Sequence, residues 1–165
     1  MIDYVLTIIR GQFEAGLAML NECIVKCPDE HWDGRIAKYP FWHVAYHVLC
    51  FVDCYLSPGE HAFKPGRFHP RGMHELQDEY PSRRFERAEL LEYLADCRKK
   101  LDRVLSAETR ESLEAPSGFS WMPFSRGETH LYNIRHLQHH TGQLAAFLRK
   151  QSVDTRWVKV GWRDA

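Results

Sequence analysis

At 165 residues the chain is long enough for one domain with its own core and short for two, so a single domain over residues 1–165 is expected. Its 44% hydrophobic and 27% charged residues match ordinary globular usage and argue against disorder or a fibrous class. Lysine plus arginine equals aspartate plus glutamate at 22 each, which removes the positive field that binding to nucleic acid or an anionic membrane requires, and neither is expected as a partner.

The first residues, Met1-Ile2-Asp3-Tyr4, open directly into a helical pattern without the basic and apolar stretches of a secretory signal. No apolar run approaches the roughly 20 residues needed to cross a bilayer. A cytoplasmic protein is expected. The five cysteines are an odd number, and the pairs Cys23/Cys27 and Cys50/Cys54 have helix-neighbour spacing, which suits small buried thiols better than a disulfide framework.

From Asp3 to about Cys27, Val5, Leu6, Ile9, Phe13, Leu17, Leu20 and Ile24 recur at the three-and-four spacing of one helix face, and Pro28 stops the helix. A second helix is expected from Phe41, just after Pro40, to about Leu56, where Ser57-Pro58-Gly59 ends it. Residues 57 to about 84 hold four prolines, three glycines and His61, His69 and His74, a composition that cannot sustain a long helix. These three histidines show no ligand spacing and are expected to be solvated. A third helix follows from Phe85 to about Leu105 on the repeat Leu90, Leu94, Cys97, Leu101, Leu105.

After an irregular stretch from Pro116 to Phe124, Ser125-Arg126-Gly127-Glu128 fits a capping box, in which a serine and an acid three residues later satisfy each other's free amides. The fourth helix then runs to about Lys150. Residues Trp157 to Trp162 read either as a short extended tail packed on the helices or as a frayed end. Four amphipathic helices without a convincing strand pattern predict an all-α four-helix bundle.

Ten histidines are unusual for this length. On the fourth helix His136 and His140 stand one turn apart, so two imidazoles can converge on one metal ion. With Gln143 and Phe147 they form a stripe expected to face the bundle interior. The second helix carries His43, His47, Cys50 and Cys54 on a comparable stripe, and either histidine could complete the set. Buried imidazoles brought together are costly unless hydrogen-bonded or metal-bound. His139 flanks the pair. The His-Glu-x-x-His motif is excluded because Leu137 occupies its glutamate position, and no Glu-x-x-His di-iron motif occurs. A single mononuclear site is expected.

The run Asn133-Ile134-Arg135-His136-Leu137-Gln138-His139-His140-Thr141-Gly142-Gln143, with Leu148-Arg149 after it and His47 through Tyr55-Leu56 before it, resembles the DinB-like superfamily of DinB/YfiT-like metalloenzymes. The resemblance implies an antiparallel four-helix bundle with a long crossover, one nickel or zinc ion on His47, His136 and His140, and frequently a homodimer. Thr141 departs from it, since many members carry arginine there. A three-histidine site with an open coordination position would suit a small-molecule substrate. Thiol transfer, with a low-molecular-weight thiol, and hydrolysis are the implied activities, and a non-catalytic metal-binding or stress-related protein is the alternative. Asp53, Glu128 and Tyr132 lie on the site-bearing helices but carry no assignable role as a base.

Overall fold

The computed structural model describes residues 2–64, 66–69 and 83–165. The protein is mostly helical. Helix α1 spans Ile2–Lys26; strands β1 (Arg35–Ile36) and β2 (Tyr39–Pro40) form a small hairpin; α2 spans Phe41–Tyr55, α3 Arg87–Ala107, α4 Arg110–Glu114 and α5 Arg126–Lys150. The hairpin and the single-turn α4 are too short to give a periodic signal, which is why the sequence pattern passes over them. No described helix is long and apolar enough to cross a membrane.

The long helices form where the apolar spacing requires. On α1, Phe13, Leu17, Leu20 and Ile24 are completely buried. Pro40 sits just ahead of α2 in extended conformation, φ −67°, where its missing N–H costs nothing. At the start of α5 the Glu128 amide donates to Ser125 Oγ at 3.2 Å, and the Ser125 amide donates to Glu128 Oε2 at 3.1 Å. The expected capping box is therefore present, and α3 has a second one from Glu86 and Glu89.

Pairwise contacts fix the helix directions. Phe41 meets Phe147 and Asn133 Nδ2 donates to Val52 O at 3.2 Å, so α2 and α5 run antiparallel. Cys97 Sγ donates to Leu49 O and Lys100 Nζ to Asp53 O, so α3 runs in the same direction as α2. Arg10 pairs with Asp102 while Arg87 donates to Cys27 O, so α1 and α3 are antiparallel. The chain after α5 returns along α1, with Arg156 N donating to Glu22 Oε1 at 3.0 Å and Gly161 N to Gly11 O at 2.8 Å. The tail is thus packed, although Trp157 remains exposed.

A buried guanidinium locks the end of α2 to the start of α5. Arg126 donates to Tyr55 O at 2.9 Å, Leu56 O at 3.1 Å and Ser57 O at 2.7 Å, satisfying carbonyls that the helix end leaves unpaired. Glu108 accepts from Arg126 Nε at 2.9 Å and lies 2.9 Å from His130 Nε2. Burial alone would raise the Glu108 pKa, but hydrogen bonds from His130, Ser112 and Arg126 outweigh it and hold the carboxyl at about 2. This lock fixes the register of the two helices that carry the histidine stripes.

Candidate metal centre

His47 on α2 and His136 and His140 on α5 come together. Each offers one ring nitrogen, and the three nitrogens lie within 4.8 Å of one another. Ring centroids are 5.3 Å apart for His47 and His136, 4.8 Å for His47 and His140, and 4.6 Å for His136 and His140. Nitrogens bound to one tetrahedral ion at about 2.1 Å lie roughly 3.4 Å apart, so small side-chain adjustments close the difference.

The surroundings suit metal ligation. His136 Nδ1 is buried with no hydrogen-bond partner among the described residues, an arrangement that costs free energy unless something else meets the lone pair or proton. Burial, and then the neighbouring His140, His47 and His139, push the His136 pKa down to about 3, so its ring is neutral near pH 7. Gln143 Oε1 lies 3.0 Å from His140 Nδ1, and Gln143 Nε2 lies 3.2 Å from His139 Nε2. An amide oxygen can only accept, so His140 carries its proton on Nδ1 and turns the Nε2 lone pair away from Gln143. Phe51 packs on His47 at 4.7 Å and on His136 at 4.8 Å, and Tyr55 stands edge-on to His136 at 6.2 Å. These rings give the cluster an apolar flank.

A cavity of about 570 Å³ opens on the other side, bounded by His47, His140, Gln143, His43 and Val44 and roofed by the hairpin residues Ile36 to Tyr39. Its size is in the range of small-molecule sites. Gly34 sets the roof's position, because a Cβ there would stand 2.5 Å from Phe147 Cζ and 2.9 Å from His31 O. Only glycine lets the base of the hairpin approach α5 so closely.

The sequence profile of the DinB superfamily matches residues 12–144, which include all three clustered histidines. The chain belongs to the DinB superfamily. No curated protein matches it. In this DinB-superfamily chain Thr141, where many members carry arginine, is completely buried on the core side of α5. The departure therefore falls on the packing seam and not among the clustered rings.

Several expectations need correction. The stripe His136, His140, Gln143, Phe147 is half-buried, whereas Asn133, Leu137, Thr141, Leu144 and Leu148 are completely buried. The core seam is displaced by one residue, about 100° around the axis, and the histidines sit at its edge, where His140 and Gln143 border the cavity. On α2, His43 is buried, meeting Tyr39 at 4.7 Å and Trp42 at 5.5 Å, and lies outside the cluster although it lines the cavity. His61 is exposed as expected, and His74 lies outside the described residues.

His69 is not solvated. It is buried, with Nε2 2.8 Å from the Tyr93 hydroxyl, which donates to Asp53 Oδ2 at 3.0 Å. Asp53 also accepts from Lys100 Nζ at 2.6 Å. Asp53 thus belongs to a polar network against α3, away from the histidine cluster. Glu128 is occupied in the α5 cap, and Tyr132 packs on Tyr55 and Phe124. The cysteines are all buried, and burial pushes the Cys23, Cys27 and Cys54 thiols up to about 12. Nothing in the local sequence around His69 marks its burial, which depends on α3 supplying Tyr93 from a distant part of the chain.

Proposed function

We propose that this protein is a metal-dependent enzyme holding one divalent transition-metal ion, nickel or zinc, on His47, His136 and His140, and acting on a small molecule by thiol transfer or hydrolysis. The observation that carries this reading is the convergence of three imidazoles, two of which, His47 and His140, line a cavity, while the third, His136, has a buried Nδ1 with no hydrogen-bond partner among the described residues. Three neutral ligands leave a coordination position for a fourth group. When bound, the ion would supply Lewis acidity and an open position for water or a low-molecular-weight thiol.

The chain's own residues do the rest of the work. Gln143 fixes the tautomer and orientation of His140, as partners of metal-bound histidines generally do. Phe51 and Tyr55 pack apolar rings against the cluster, and the cavity gives a small molecule access to His47 and His140. Val44 and the hairpin shape the space in which a substrate's reacting atom approaches the cluster.

A second reading is favoured by one observation: among the described residues that line the cavity, none carries a carboxylate that would serve as general base. On that reading the protein binds metal without catalysis, in a stress-related role. We propose with it an antiparallel four-helix bundle with a crossover between α2 and α3, and a cytoplasmic homodimer without nucleic-acid or membrane partners.

The test is metal content of tag-free purified protein by plasma mass spectrometry, followed by turnover assays with common cellular thiols and ester substrates. About one nickel or zinc per chain with thiol-dependent turnover supports transfer, and thiol-independent ester cleavage supports hydrolysis. Metal without turnover favours the binding protein. Absence of bound metal, with no uptake on reconstitution, would refute the site.

A further inference from the structure

Gln143 follows His139 by four residues and His140 by three, so helical repeat sets the three side chains on neighbouring positions of α5. Its amide is held at both ends. Oε1 lies 3.0 Å from His140 Nδ1, and Nε2 lies 3.2 Å from His139 Nε2. The two rings stand edge-on, with centroids 4.9 Å apart at 82°, and one amide spans them. His139 is exposed and contributes no nitrogen to the cluster of three. Among the described residues its hydrogen bond is to Gln143 alone.

An amide oxygen only accepts and an amide nitrogen only donates, yet the two ends are nearly equal in size, so the partners decide which way round the group sits. With the oxygen toward His140, that ring holds its proton on Nδ1 and keeps an Nε2 lone pair, while His139 accepts the amide N–H on an unprotonated Nε2. Turning the amide over reverses both. The N–H would then face His140 Nδ1, and a neutral ring accepting there carries its proton on Nε2, which removes the lone pair an ion would take. The glutamine side chain also loses rotational freedom when it is pinned. An acceptor on His139 therefore fixes the chain of Gln143 and draws its nitrogen end away from His140.

We infer that His139 is a positioning residue for the metal centre: its Nε2 holds the Gln143 amide with the oxygen toward His140, and so keeps His140 in the tautomer that can ligate. The inference rests on the proposed reading of His47, His136 and His140 as ligands for its purpose, while the arrangement itself belongs to the metal-free chain. His139 needs to touch neither ion nor substrate, because it acts through Gln143. A share of molecules with the amide turned over lowers the apparent metal affinity in proportion to the competent fraction lost.

The test compares full-length wild type, His139→Phe, His139→Gln, Gln143→Leu and the His139→Phe/Gln143→Leu double variant, each shown to be folded by its circular dichroism spectrum and melting temperature. Zinc affinity is measured by competition with a chromophoric chelator. His139→Phe keeps a ring but removes the acceptor, and should weaken zinc about fivefold, the scale of one neutral hydrogen bond. His139→Gln, which can accept through its amide oxygen, should restore most of that affinity. Gln143→Leu should weaken zinc at least tenfold, and adding His139→Phe to it should change nothing further. In the chelator-treated proteins, long-range proton–nitrogen-15 spectra should show the His140 proton on Nδ1 in wild type and shared between both ring nitrogens in His139→Phe. Unchanged affinity in His139→Phe, or an equal loss with and without Gln143→Leu, overturns the inference. So does a wild-type His140 proton on Nε2, or a distribution that His139→Phe leaves unaltered. If the wild type took up no zinc, the metal reading would fail, and the metal-free spectra would still decide the role of His139.

Discussion

Replacing His47 or His43 by alanine separates the two candidates on α2 by experiment. The residues are four positions apart, roughly 6 Å along the helix axis at 1.5 Å per residue, more than a metal–nitrogen bond can absorb. His47 stands with the His136 and His140 rings, whereas His43 packs on Tyr39 and Trp42. At free metal one hundred times the dissociation constant, an ion bound only by the folded state stabilises it by about 2.7 kcal/mol. In a chain of this size that corresponds to a rise in melting temperature of about 5–10 °C. His47→Ala should lose nearly all of that rise, as should His136→Ala and His140→Ala. His43→Ala should melt lower with or without metal, because a buried ring costs about 2–3 kcal/mol to remove, yet keep the metal-dependent rise. The assay is differential scanning fluorimetry after chelator treatment, with and without added zinc or nickel, paired with metal analysis of each variant. Retention of the rise in His47→Ala together with its loss in His43→Ala would refute the assignment.

Two further predictions concern the framework around the site. Glu108 is held at about 2 in the folded protein against an ordinary 4.5, so the folded state binds fewer protons than the unfolded state between those values. The stability it contributes is present above about pH 4.5 and lost as pH falls towards 2; urea midpoints measured across that window should drop, and Glu108→Gln should flatten the drop while costing about 3 kcal/mol near neutral pH. A slope unchanged in the variant would show that other carboxylates govern acid unfolding. Gly34→Ala should destabilise by about 1–3 kcal/mol, since its Cβ would meet both Phe147 and the His31 carbonyl. The melting temperature reads this directly, and a wild-type value would mean the hairpin is not pinned to α5 as described.

Much of this protein is legible in the sequence because the signals are local. The apolar spacing on α1 and α3, Pro40 ahead of α2, and the Ser125/Glu128 capping box each depend on residues within a turn or two, so chain order alone specifies where the long helices lie. The pairing of His136 with His140 is local in the same sense, being a consequence of helical repeat. What sequence spacing alone could not decide was which α2 histidine faces them. That depends on the register of α2 against α5, set by Arg126 holding the carbonyls of residues 55–57 and by Asn133 bonded to Val52. A slip of one turn would exchange His43 for His47.

Tertiary structure also decided the rotation of α5, which turns Leu137 and Thr141 into the core and leaves His136 and His140 at its edge. Periodicity gives the existence of an apolar face, but its orientation is fixed only by what packs against it, here α1 through Gly16 beneath Leu137. The burial of His69 on Tyr93 and the placing of the hairpin above the cavity are likewise products of distant segments meeting. Sequence by itself determined the histidine stripes and the helices that carry them, because residue type and helical repeat are properties of the chain. Register, rotation and the cavity were decided by tertiary packing, because they exist only between segments far apart along it.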